Sequence, residues 1–347
     1  MPTMKAVVKT KPAPGAELIE TETPSPGPDD VLVKVLATSI CGTDLHIYQW
    51  NDWARKRIKH IPQTLGHEVC GEIIEAGSNV NQDFLKVGDI ISAETHIGCG
   101  WCYECRTGNA HICLNSRIFG VDINGVFAEF AVVPAANAWI LEKKIPKDFG
   151  SVMEPLGNAV HTVLAGPVAG CTVLVTGCGP IGLMAVAVSR ICGATKIFAT
   201  EINEYRLQLA KKMGADITLN PQKDNVRDAI REETGGLGID VVIEMSGNAG
   251  AINDAIKVLR PGGRFSLLGL PDQPFKMDLN EIIFKYLTIQ GISGRLMFST
   301  WYQSSRFLSS GRLDLSPLIT HRLRLEEFEK GMELMETGNC GKVLLYP

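Results

Sequence analysis

No run of five or six like charges occurs anywhere in the chain, and 34 lysines and arginines against 38 aspartates and glutamates leave a net charge of −4. Without a basic tract to neutralise a row of phosphates, nucleic acid is not an expected partner. The first fifteen residues lack the apolar core of a secretory signal, so the chain is expected in the cytoplasm. Cysteine is sparse as well: ten in 347 residues are too few for a disulfide-held scaffold. Internal repeats and low-complexity segments are lacking. One further lack points the other way. From Pro155 to Ser189 there is no Asp, Glu, Lys or Arg, a stretch long enough to span a bilayer. Gly157, Gly166, Pro167, Gly170, Gly177, Gly179, Pro180 and Gly182 interrupt it, so it reads as helix, loop, strand and turn, and no membrane is expected.

What remains is a globular composition, 45% hydrophobic and 21% charged, at a length that fits about two domains. The first 150 residues carry glycine, proline and short β-branched runs such as Val31–Leu36, and read as mostly β. Near Cys171 strands and helices begin to alternate. Strands are expected at Thr172–Thr176, Lys196–Thr200, Asp216–Leu219, Asp240–Glu244, Arg264–Leu268 and Leu287–Ile292, with crossing helices between them, which predicts an α/β doubly wound parallel sheet. The tail after Gly294 has two helical segments and a last strand, Lys342–Tyr346. It is too short to bury its own core and is expected to return to the first domain. The domains expected are therefore 1–155 plus 295–347, discontinuous, and 156–294.

Gly177, Gly179 and Gly182 form G-x-G-x-x-G between a strand and a helix, and Glu201 closes the next strand 19 residues later. That context reads as a dinucleotide site, with the pyrophosphate at the helix N-terminus. A carboxylate at Glu201 would accept from the adenosine ribose hydroxyls and repel a 2′-phosphate, so NAD is the expected cofactor. Arg206 has three readings: it softens that preference, packs on the adenine, or lies solvated on its helix.

Cys99, Cys102, Cys105 and Cys113 are spaced C-x2-C-x2-C-x7-C, with glycines between them. Four thiolates would make a closed, structural zinc site. A second, open site is expected at Cys41, His67 and Glu68, where three protein ligands would leave a fourth position for a substrate oxygen. Zinc there would act on that oxygen as a Lewis acid. Thr43 and His46 are the expected proton relay to solvent.

Gly66, His67, Glu68, Gly71 and Gly77, the four clustered cysteines and the Gly177–Gly182 turn together resemble the zinc-dependent medium-chain alcohol dehydrogenases over essentially the whole chain. The resemblance implies a GroES-like, mostly β catalytic domain beside a Rossmann domain, and two zinc ions per chain. Ile40–Tyr48, Gly157–His161, Gly291–Arg295 and Thr300–Tyr302 look most like the branch that oxidises L-threonine at its 3-hydroxyl to L-2-amino-3-oxobutanoate; polyol or vicinal-diol oxidation is the alternative. The resemblance further implies that Glu154 stands near the metal, as an exchangeable ligand or on the proton path. It implies cofactor contacts at Ile181, Glu201, Arg206, Leu268, Gly269, Leu270, Ile292 and Ser293, an influence of His96 on substrate choice, and a homotetramer. His60, His111, His161 and His321 are expected to be structural or at the surface.

Overall fold

Asp30–Ser39 carries the β-branched Val31, Val33 and Val35 at alternate positions, and it pairs antiparallel with both Val69–Ala76 and Phe130–Pro134. The computed structural model describes residues 2–347. In its first unit, which runs to Glu154 and adds Leu296–Ser309 and Ile319–Pro347, this strand is central to a seven-stranded sheet. Lys342–Tyr346 pairs antiparallel with it at Leu344↔Ser39 and Leu345↔Thr38, and parallel with Ile319–Arg324. The C-terminal strand thereby comes to lie beside the loop that follows Ser39. A three-stranded sheet of Glu17–Glu22, Thr3–Lys9 and Gln63–Thr64 completes the unit's larger β structure.

The second unit comprises Pro155–Arg295 and Ser310–Leu318. Its six strands lie in the order Ile217–Leu219, Lys196–Thr200, Thr172–Thr176, Ile239–Glu244, Leu259–Leu267 and Thr288–Gly291, every neighbouring pair parallel. Chain order reverses between Thr172–Thr176 and Ile239–Glu244, the place where such sheets open a ligand crevice at their carboxyl ends. Asn203, Asn225 and Asn248 each accept a backbone N–H of the helix that follows and so cap Glu204–Lys212, Val226–Glu233 and Ala249–Val258. The uncharged stretch 155–189 resolves into parts of the helices Met153–Val163 and Pro180–Ile191 with a strand between them. No helix among the described residues is long and apolar enough to cross a membrane.

Apart from shifts of a residue, which put Pro155 and Arg295 in the second unit, two boundaries differ from the sequence reading. Ser310–Leu318 belongs to the second unit and not the first, because Leu313, Leu315 and Leu318 are buried and the Arg312 guanidinium donates to the Ile191 carbonyl at 3.1 Å. The strand expected from Arg264 begins at Leu259, which pairs with Ile239 before a register shift; the intervening Pro261, Gly262 and Gly263 disguise it as a turn.

Candidate active site

The metal-ligand set is assembled in the first unit by a helix start and a strand start. Cys41 precedes the helix Gly42–Gln49, and Asp44 in its first turn accepts the Cys41 backbone N–H at 2.9 Å. The other Asp44 oxygen accepts the Gly66 N–H at 3.2 Å and stands 3.4 Å from His67 Nδ1. One buried carboxylate thus ties the cysteine segment to the histidine segment. Gly66, at φ +88°, lies flat against the Phe127 ring, where a Cβ would fall 2.1 Å from a ring carbon. The result is that ligand atoms of Cys41, His67 and Glu68 all lie within 4.8 Å of one another.

These residues fit a metal ion. Glu68 is fully buried, yet its Oε1 has no hydrogen-bond partner, the orphan that a cation would satisfy. Burial works against a charged imidazole at His67, but the Asp44 carboxylate and the Cys41 sulfur push its pKa well above the ordinary histidine value. A field that holds a proton so firmly also favours a dication. Glu154 lies outside the 4.8 Å set but is buried, and its charge acts on both Glu68 and Lys342.

The sequence reading missed the partners of Glu68. Ser39 Oγ and Lys342 Nζ both donate to its Oε2, and Lys342 Nζ donates again to the Ile40 carbonyl at 3.1 Å. Burial opposes the Lys342 ammonium, while the Glu68 carboxylate and the Cys41 sulfur hold its pKa above the ordinary value. With Oε2 held from the C-terminal strand, Oε1 is the oxygen left for a metal.

Thr43 Oγ1 lies 4.0 Å from Cys41 Sγ. His46 is one turn further along the same helix and exposed, with its Nδ1 2.9 Å from the Asn51 amide nitrogen. The two relay candidates therefore share a helix face that runs from the ligand cluster to solvent.

The four clustered cysteines also converge, every sulfur within 4.8 Å of the others. Zinc–sulfur bonds of about 2.3 Å in a tetrahedron require sulfurs about 3.8 Å apart. Cys102 Sγ and Cys113 Sγ stand at 3.7 Å. Backbone N–H groups of Cys99, Cys102 and Cys105 donate to neighbouring sulfurs at 3.4–3.5 Å. Desolvation resists ionisation of Cys99, but N–H groups of Trp101 and Cys102 bring its thiol down to about 6. At Cys102 the Cys105 N–H favours the thiolate, yet desolvation and the adjacent thiols push it up to about 12. Crowded thiolates repel, and a dication would relieve all four. Cys102→Ser is expected to lower the melting temperature of the zinc-loaded protein by roughly 5 °C or more, since structural zinc contributes several kcal/mol to folding. An unchanged melting temperature would remove the structural-site assignment.

The dinucleotide turn lies in the second unit. Gly177 has φ +83° and sits against Ser246, and a Cβ on Gly182 would lie 1.9 Å from the Gly177 carbonyl oxygen. Beside Gly179 nothing stands within 4 Å, the open approach a phosphate needs. A cavity of about 640 Å³ follows, lined among others by Gly177, Gly179, Glu201, Arg206 and Ser246. Arg206 Nε is buried there without a hydrogen-bond partner. Glu201 also clamps the turn itself: its Oε2 accepts the Cys178 N–H at 2.9 Å, and its Oε1 those of Ile202 and Asn203. Buried Glu244, not singled out in the sequence, shapes the facing loop by accepting from Ser246 N at 2.8 Å and Gly247 N at 3.1 Å.

Ile181, Leu268, Gly269, Leu270, Ile292 and Ser293 do not line that cavity. Leu268 and Gly269 both donate to the Glu244 carbonyl, and Ile292 donates to that of Leu267, so these five residues beyond Ile181 follow the carboxyl ends of their strands. Leu270 and Ser293 are exposed. His161 Nδ1 lies 2.9 Å from the Gly294 carbonyl oxygen and anchors the turn after Ser293.

Two family models match the chain, an alcohol dehydrogenase GroES-like domain over residues 27–143 and a zinc-binding dehydrogenase over 180–310. The chain belongs to the zinc-binding alcohol dehydrogenases. Among its relatives is an L-threonine 3-dehydrogenase of Caldanaerobacter subterraneus subsp. tengcongensis, 54% identical, the match covering 99% of each chain. Another, of Pyrococcus abyssi, is 52% identical over 98% of each. A solved zinc-binding dehydrogenase from Sinorhizobium meliloti 1021, bound to NADP, superposes with a TM-score of 0.92 at 32% identity, with full coverage of both chains.

Proposed function

We propose that this chain oxidises L-threonine at its 3-hydroxyl with NAD, giving L-2-amino-3-oxobutanoate. The observation that carries the reading is full-length identity above one half with a relative of that named activity. In the balanced reaction the hydrogen on C3 leaves as hydride to NAD⁺ and the hydroxyl proton leaves to solvent. When bound, zinc supplies a Lewis acid for the hydroxyl, and the nicotinamide supplies the hydride acceptor.

Cys41, His67 and Glu68 hold the catalytic zinc, and Cys99, Cys102, Cys105 and Cys113 a structural one, two per chain. Thr43 takes the hydroxyl proton and His46 releases it, while Glu154 stands by as an exchangeable ligand. Ile181, Leu268, Gly269, Leu270, Ile292 and Ser293 serve the nicotinamide half of NAD. Self-association as a homotetramer is supported by the edge strand Thr288–Gly291, all four residues of which are exposed along an unpaired side of the sheet. A cytoplasmic setting fits ten cysteines none of which is joined in a disulfide.

Glu201→Ala tests the cofactor half. It removes the ribose acceptor and the clamp on the turn together, so both NAD and NADP should bind more weakly, with NAD losing about tenfold more. Equal losses, measured as the two dissociation constants, would contradict the ribose contact. The substrate half is tested by comparing kcat/KM for L-threonine, D-threonine, sorbitol and 2,3-butanediol. L-Threonine is expected to lead; a diol or polyol in first place would overturn the substrate while leaving the family intact.

A further inference from the structure

We propose that the Glu244 carboxylate is a built-in counter-charge for the oxidised cofactor, tightening NAD⁺ relative to NADH; this deepens the reading above and rests on its assignment of Leu268, Gly269 and Leu270 to the nicotinamide half. Glu244 ends the strand Ile239–Glu244 where chain order reverses in the sheet, opposite Thr176 on one side and Leu267 on the other. It is fully buried. Its Oε1 accepts the Ser246 N–H at 2.8 Å, the Gly247 N–H at 3.1 Å, the Thr176 hydroxyl at 3.3 Å and the Ser246 hydroxyl, and its Oε2 stands 3.3 Å from the same Gly247 nitrogen. None of these partners carries a charge.

The side chain lies between two loops. The N–H groups of Leu268 and Gly269 donate to the Glu244 carbonyl at 3.0 and 3.1 Å, and a Cβ on Gly269 would collide with Glu244 Oε2 and the Gly247 nitrogen. One on Gly247 would meet the Leu270 backbone, and one on Gly177 would stand 2.9 Å from Ser246. The dinucleotide turn, residues 245–247 and residues 268–270 therefore form one continuous stack, and the carboxylate sits inside it.

Holding those loops does not require a charge. All four donors reach a single oxygen, which a neutral side-chain amide also offers. A carboxylate taken out of water without a cation is costly. The low-dielectric interior that makes it so also lets the charge act at a distance with little screening by salt. The nicotinamide ring is a cation in NAD⁺ and neutral in NADH, a difference made by the hydride alone. A fixed negative charge behind the loop that serves the ring attracts the first form and is indifferent to the second. In the direction of alcohol oxidation this lets incoming NAD⁺ displace the NADH just formed.

Glu244→Gln keeps an oxygen for the four donors and removes the charge. In the full-length zinc protein Kd for NAD⁺ should rise about tenfold, the scale of one charge pair at the effective dielectric of a protein site, while Kd for NADH stays within about twofold. Fluorescence titration gives the NADH value, and competition against it gives the NAD⁺ value. Glu244→Asp keeps the charge on a shorter side chain and so disturbs the loops alone. Both constants should rise there by one common factor, leaving their ratio within about twofold of the unaltered protein's. Equal changes of the two constants in Glu244→Gln would overturn the proposal. So, independently, would a ratio in Glu244→Asp that shifts tenfold or so towards NADH, since the charge is then not what sets it. Failure to oxidise L-threonine, or tighter binding of NADP than of NAD, would contradict the reading above alone, because the ratio needs no alcohol and is measurable with either cofactor pair.

Discussion

Cys41→Ser is expected to reduce turnover by roughly a thousandfold or more, since changes to residues that merely support a metal ligand already cost about 10–100-fold. The fold should survive. Cys41 is only part-buried, and the helix it precedes keeps its Asp44 contact to the residue 41 backbone N–H, which serine also has. Circular dichroism and melting temperature should therefore match the unaltered protein, while zinc content falls by one equivalent per chain and the four-cysteine site keeps its own. Near-normal activity in this variant would remove Cys41 from the catalytic set. Loss of both zinc ions would show that the two clusters are not independent.

Lys342→Met should have the largest effect on stability. The ammonium and the Glu68 carboxylate are both buried, and removal of one partner from such a pair costs about 3–5 kcal/mol because the other charge is left uncompensated. Burial already raises the Glu68 carboxyl above its ordinary value of 4.5, with Lys342 pulling it back down. Without the lysine it rises further. A carboxyl whose native pKa is raised takes up its proton in the native state first, so its favourable contribution is full below 4.5 and is lost as pH climbs. The variant's deficit should thus be small near pH 4 and grow towards about pH 7, read by urea unfolding of the metal-free protein. Equal deficits at the two pH values would mean that Glu68 is not the group left unpaired.

The features legible in the sequence are those whose physics is local. Gly177 and Gly182 announce themselves because a left-handed turn and a close helix–strand approach admit no side chain, and those needs fall within six residues. Four cysteines at short spacing can scarcely do anything but meet. Lys342 is different. It looks like an ordinary residue heading an apolar strand, and its meaning comes from pairing 274 positions away with Glu68. Buried Glu94 is silent for the same reason: it accepts the indole N–H of Trp301, on a helix that returns late in the chain. Glu201 was readable as an acid at the end of a strand but not as the clamp of the turn, because backbone donors carry no sequence signature. The strand at Leu259 was hidden by Pro261 and the two glycines after it, residues that end most strands and here mark only a register shift.

The most direct measurement is NADH formation from L-threonine by the full-length chain, first as purified, then after a chelator has removed its metal, and again after zinc is restored. The account predicts activity, its loss, and its return with zinc in proportion to reoccupation of the Cys41–His67–Glu68 site. Threonine oxidation that persists in protein shown to hold no metal would contradict it.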